Sequence, residues 1–133
     1  LFFGYVDCGD ICPPAMIELC KIYNKIDNTK TSVYFINLLD TNKIEETKSY
    51  AHSYNKNFIG VYLNKIQIQE VSKKINLSIN KINDTQISHT GHLFVLQKDK
   101  KTNTHFLKYI YTSWPFNNKE IVKDINLLNQ GLV

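Results

Sequence analysis

Two cysteines separated by three residues, Cys8-Gly9-Asp10-Ile11-Cys12, followed at once by Pro13-Pro14, carry the chemistry of this chain. The apolar run Leu1-Phe2-Phe3-Gly4-Tyr5-Val6 reads as a strand feeding the pair, and Met16, Leu19, Cys20, Tyr23 and Ile26 mark one side of a helix leaving it. The thiols therefore belong to a strand-to-helix turn, with Cys8 in the loop and Cys12 at the helix start. Unpaired N–H groups and the positive end of the helix dipole favour thiolate over thiol there. Prolines suit the first helical turn, where an N–H has no intrahelical partner. A bend at Gly9 brings both sulfurs toward one point, and two soft thiolates so placed suit Cu(I) or zinc, or can close a disulfide.

A metal held by two thiolates takes a third or fourth ligand, and the histidines are His52, His89, His92 and His105. His52 falls on a polar helix pattern and reads as solvated; His105 opens a late strand and reads as surface. His89 and His92 sit together in Ile87-Ser88-His89-Thr90-Gly91-His92 before a strand, and the residues alone do not separate them. Asp10 reads as a helix cap. Cys20, eight residues after Cys12, reads as core packing. Trp114-Pro115-Phe116 reads as a hydrophobic staple or lid before the last helix.

The elements that must position these residues alternate. Strands are expected at 1–6, Ser32–Leu38, Phe58–Leu63, His92–Gln97 and His105–Tyr111, where aromatic and β-branched residues concentrate. Helices are expected over 13–26, 42–54, 64–75 and 117–129; Ile68, Val71 and Ile75 mark the third, and Ile121, Ile125 and Leu128 the fourth, with Asn117 or Asn118 as its cap. The polar turn Lys98–Thr104 predicts a closing antiparallel hairpin, and the polar stretch 76–88 a loop or small hairpin. This pattern predicts an α/β fold with a mixed central sheet flanked by helices, in a single domain spanning 1–133.

Composition narrows the function classes. The 133 residues suffice for one core, the net charge of +4 is modest, and all the basic side chains are lysines. The absence of arginine argues against nucleic acid as a partner. No apolar run reaches the ~18 residues of a membrane span. Three cysteines do not make a disulfide framework. The chain opens mid-strand on Leu1, and we expect an N-terminal segment to be missing, which could carry an anchor or export signal.

In its motifs the chain resembles the SCO/SenC family of copper-binding, thioredoxin-like proteins, whose metal motif reads Cys-Pro-Asp-x-Cys-Pro after a Tyr/Phe-Gly strand. Phe3-Gly4-Tyr5-Val6-Asp7-Cys8-Gly9-Asp10-Ile11-Cys12-Pro13 matches that motif. Ser32–Leu38, Tyr50-Ala51, Phe58-Ile59-Gly60-Val61 and the helix over 64–75 match the elements that follow it. Ser88-His89-Thr90 followed by Phe94-Val95-Leu96 matches the family's histidine segment and its next strand. Three departures stand out: Gly9 for proline, Ser88 for aspartate, and Leu39-Asp40-Thr41 where an Asp-Pro pair is usual.

The resemblance implies a thioredoxin-like fold and one copper ion, Cu(I) or Cu(II), held by Cys8, Cys12 and His89. It implies a monomeric metallochaperone that delivers copper to the copper-receiving subunit of cytochrome c oxidase or to another copper protein. The place it implies is the bacterial periplasm, tethered to the inner membrane, or alternatively the mitochondrial intermembrane space. The rival functions are a thiol–disulfide oxidoreductase, with Cys8 and Cys12 as its redox pair, and a redox or metal sensor. Against the oxidoreductase stand the three-residue spacing and the absence of a proline before the strand after His89.

Overall fold

The computed structural model describes residues 1–9, 11–83, 86–89 and 91–132, and the backbone alone of residues 81, 83 and 86–89. A five-stranded mixed sheet forms the centre. Its strands are β1 (Phe2–Gly4), β2 (Tyr34–Asn37), β3 (Ile59–Tyr62), β6 (Leu93–Lys98) and β7 (His105–Tyr111), in the order β3-β2-β1-β6-β7. Four helices accompany it: α1 (Cys12–Tyr23), α2 (Ile44–Tyr54), α3 (Lys65–Lys74) and α4 (Asn118–Asn129). The stretch expected as a loop or small hairpin is a hairpin, β4 (Ile79–Asn83) with β5 (Gln86–His89), apart from the main sheet.

β1 pairs parallel to β2 and antiparallel to β6, so both of its edges are covered and all three residues are buried. That explains a continuous apolar run in place of the alternation of a half-solvated strand. The strand is shorter than the expected 1–6. Asp7 takes a left-handed φ of 66° and the Cys8 N–H bonds back to Tyr5 O at 3.2 Å, which turns the chain out of the sheet.

Cys12, Ala15, Met16, Leu19, Ile22 and Tyr23 are the buried stripe of α1. Spacings of three and four residues place them on one face, and Cys12 is the first residue of that face. The helix ends at Tyr23, earlier than expected, with the Asn24 N–H bonded to Cys20 O; Ile26 is nonetheless buried beyond it. Asn117 caps α4 by accepting from the Glu120 N–H, and Asn64 caps α3 the same way from Gln67. Glu18 accepts a bond from Asn118, tying α1 to α4, and Tyr111 donates to Asp124 at 2.8 Å, tying β7 to α4.

Candidate metal centre

The site lies at the carboxyl end of β1, where the chain leaves the sheet and enters α1. Cys8 is 5% exposed and Cys12 fully buried. Cys12 owes its position to a missing side chain. A Cβ added at Gly4 would lie 2.7 Å from Cys12 Sγ and 2.8 Å from Phe35 Cε2. Gly4 itself is pinned by register with Asn37 and by the Leu38 N–H bonding to its carbonyl at 2.7 Å. The sulfur of Cys12 therefore occupies the space that any other residue at position 4 would fill.

The residue at the cap position of α1 is Ile11, which has no side-chain oxygen and makes no capping bond. Asp10, expected to cap this helix, lies outside the described residues. Pro13 and Pro14 carry no N–H, and the Ala15 N–H bonds to Ile11 O at 3.0 Å. The dipole of α1 thus points at Cys12 with no acidic side chain in the first turn, but that turn offers few amide donors.

The segment named for the third ligand comes to the same place. His89 ends β5 with its backbone opposite Ile79; its side chain lies outside the described residues. Two residues on, a Cβ at Gly91 would come within 2.7 Å of Ile11 Cδ1. The chain just past His89 therefore packs on the residue preceding Cys12. His92 is half-buried, with its ring 6.3 Å from that of Phe94. His52 and His105 are exposed, as expected. Among the described residues no three His, Cys, Asp or Glu side chains converge on one point.

Cys20 sits at the margin of the core, half-buried, and its thiol donates to Tyr54 O at 3.3 Å. Burial pushes this thiol up from its ordinary value, so it is held as a neutral donor. Cys20→Ser should keep a donor there and lose only sulfur packing. We expect a stability loss of about 1 kcal/mol in urea denaturation and no change in metal stoichiometry. Loss of a metal equivalent from a folded Cys20→Ser protein would contradict this placement. Trp114 is exposed while Phe116 is buried, their rings 5.0 Å apart, which fits a staple that seats the start of α4.

Tyr50 lies on α2 against the ring that also borders Gly4. Its ring stacks on Phe35 at 4.8 Å and meets Tyr54 at 5.3 Å, while its hydroxyl oxygen is buried without a hydrogen-bond partner. Burial chiefly, then the Tyr54 hydroxyl, then the nearby charge of Cys12, Tyr54 and Cys8, hold the phenol above its ordinary value. A helix pattern in the sequence placed Tyr50 on a helix, but nothing in it signalled the stacking on Phe35.

A mixed sheet flanked by helices, with a buried cysteine pair where the central strand turns into the first helix, defines a thioredoxin-like protein with a thiol site. The chain belongs to the SCO1/SenC family, whose sequence model matches residues 1–125. An SCO2-like protein of Rickettsia prowazekii is 27% identical over 117 residues, covering 80% of this chain and 56% of that protein. The chain thus spans just over half the length of the curated relatives it matches. Among solved structures, copper-bound ScoI of Arabidopsis thaliana superposes with a TM-score of 0.79 at 16% identity, covering 97% of this chain and 82% of that one. Copper-bound ScoI of Bradyrhizobium japonicum gives 0.73 at 19% identity, covering 93% and 80%. The expected fold class is therefore the observed one.

Proposed function

We propose that this domain binds one copper ion through Cys8, Cys12 and His89 and passes it to a partner. The observation that carries this reading is the buried Cys8–Cys12 turn at the end of β1, against which the chain following His89 is packed. Membership of the SCO1/SenC family and the copper in the two ScoI structures support the metal. Two thiolates suit Cu(I), and an imidazole added to them also accommodates Cu(II). The ion is cargo: a three-coordinate site leaves a face from which a partner's cysteines can take it.

We place its recipient in the copper-receiving subunit of cytochrome c oxidase or another copper protein, and its working site in the bacterial periplasm, next to the inner membrane. The family motif supports both placements. The thiolates must shed protons to bind, so affinity falls as pH falls.

One titration series tests the ligand set. Wild type should take one equivalent of Cu(I) in competition with a chelator. Cys8→Ser and Cys12→Ser should each lose Cu(I) and Cu(II), since each removes half of the soft donor set. His89→Ala should keep Cu(I) while losing Cu(II) affinity and the thiolate-to-copper absorption, and His92→Ala should behave as wild type. A folded His89→Ala that binds both ions like wild type would sink the three-ligand site. A wild type that binds neither ion yet cycles between dithiol and disulfide would put the oxidoreductase first.

A further inference from the structure

The β6–β7 hairpin leaves the body of the protein at the end opposite the thiols. β1 runs toward the cysteine turn and β6 pairs antiparallel to it at Leu93, so β6 runs away from the cysteines toward Lys98. Beyond Phe94, among the described residues, β6 pairs with β7 alone, and β7 is the edge of the sheet. Each face of this projection shows apolar side chains to solvent. Leu96 and Leu107 are paired on one face, and Phe106 lies opposite Gln97 on the other; Leu96, Phe106 and Leu107 are 37%, 51% and 46% exposed. Lys98, Lys100, Lys101 and Lys108 stand among them, all exposed and none in a salt bridge with a described acid. Asp99 is taken up by the turn, where it accepts from the Lys101 and Thr102 N–H groups. With four lysines and one aspartate, the hairpin carries most of the chain's net charge of +4. Exposed apolar residues grouped in this way mark a contact surface.

We propose that the tip of the β6–β7 hairpin docks on an anionic lipid surface, with Leu96, Phe106 and Leu107 entering the headgroup layer and the four lysines meeting lipid phosphates. Charge complementarity selects this occupant. Protein interfaces favour arginine and are depleted in lysine. Lysines beside an apolar patch instead extend their stems along it and set their charges at the phosphates. A second copy adding along the free edge of β7 is opposed by the strand itself. Lys108 is the extra residue of the bulge beside Val95 and Leu96, and an edge lysine and a bulge both discourage strand addition. Apolar side chains on both faces suit a layer that surrounds the tip better than a groove that covers one side. The unpaired backbone of the edge keeps the strands out of the hydrocarbon, so only side chains reach below the phosphates. Docked in this way, the protein holds its cysteine turn at the far end, facing away from the lipid. The contact does not depend on the copper reading, and either can fail alone.

Vesicle flotation tests it. Wild type should float with vesicles of phosphatidylcholine holding one-third phosphatidylglycerol and should ignore pure phosphatidylcholine. Salt that shortens the Debye length to about 3 Å should release it. Lys98→Gln, Lys100→Gln, Lys101→Gln and Lys108→Gln together should lower the partition coefficient about tenfold or more. Phe106→Ser with Leu107→Ser should lower it severalfold. The same charge change at Lys56, Lys65, Lys73 and Lys74, exposed lysines elsewhere, is the control and should cost less than about threefold. Brominated lipid reads the orientation. Trp114, the single tryptophan, follows β7 at the thiol end and should keep its fluorescence, whereas Phe106→Trp in a Trp114→Phe background should be quenched. No flotation with anionic vesicles, an equal loss in the control set, or quenching of Trp114 without quenching at position 106 overturns the proposal. A dimer formed without lipid and dispersed by Phe106→Ser with Leu107→Ser also overturns it, since the occupant is then a second copy. Should the serine pair fail to fold by circular dichroism, the lysine set and its control decide alone.

Discussion

Gly4→Ala should disable the cysteine site and weaken the fold together. The added methyl would sit 2.7 Å from Cys12 Sγ and 2.8 Å from the Phe35 ring, and neither neighbour can step aside easily. Phe35 is fully buried and stacked on Tyr50, and Cys12 is fixed at the head of α1 by the two prolines that follow it. β1 cannot withdraw either, since it is paired on both edges. Overpacking of this kind costs about 1–3 kcal/mol. The displaced sulfur matters more, because a ligand must be held within about 0.5 Å of its productive position. We expect Cu(I) affinity to fall at least tenfold in chelator competition, with the far-ultraviolet circular dichroism unchanged. An alanine variant with native stability and native Cu(I) affinity would show that the Gly4–Cys12 contact is not what places the thiol.

The second large effect is expected far from the thiols, at Gly60 on the edge strand β3. A Cβ there would meet only backbone: Thr47 O nearest, then Thr47 C at 2.7 Å and Lys48 Cα at 2.9 Å. Backbone cannot rotate out of the way, so α2 as a whole must lift from the sheet, dragging the buried Thr47 and Ala51 with it. We expect Gly60→Ala to cost about 3 kcal/mol, at the upper end of overpacking. In a domain of this size that is a drop on the order of 10 °C in melting temperature. A melting temperature within two or three degrees of wild type, by about the measure that ordinary surface changes produce, would refute the packing argument.

The local signals proved to be those that depend on a few consecutive residues. The 3.6-residue stripe of Met16, Leu19 and Tyr23 gave α1, and the unbroken run through Phe2 and Phe3 gave a strand, which the structure then buried between β2 and β6. The polar turn between Gln97 and His105 gave the β6–β7 hairpin, and Asn117 gave the cap of α4. Boundaries were less legible, since they turn on single hydrogen bonds. β1 stops at Gly4 because Asp7 goes left-handed, and α1 stops at Tyr23 although the apolar stripe runs on to Ile26. Neither event leaves a mark in the periodicity.

The spacing of Cys8 and Cys12 and the prolines after them determined, from sequence alone, that two thiols stand at a strand-to-helix turn with a helix dipole behind one of them. Nothing read from the sequence marked Gly60 as a point where backbone comes close. Which backbone it is, and what fills the space left by Gly4, were decided by the order β3-β2-β1-β6-β7, which sets Phe35 beside β1 and lays α2 against the strands next to it. Strand order depends on contacts between residues tens of positions apart, and the one-dimensional pattern of a single chain holds no record of those distances. For that reason the sequence could name the sulfurs, and only the tertiary structure could bring Gly91 onto Ile11 and Tyr50 over Phe35.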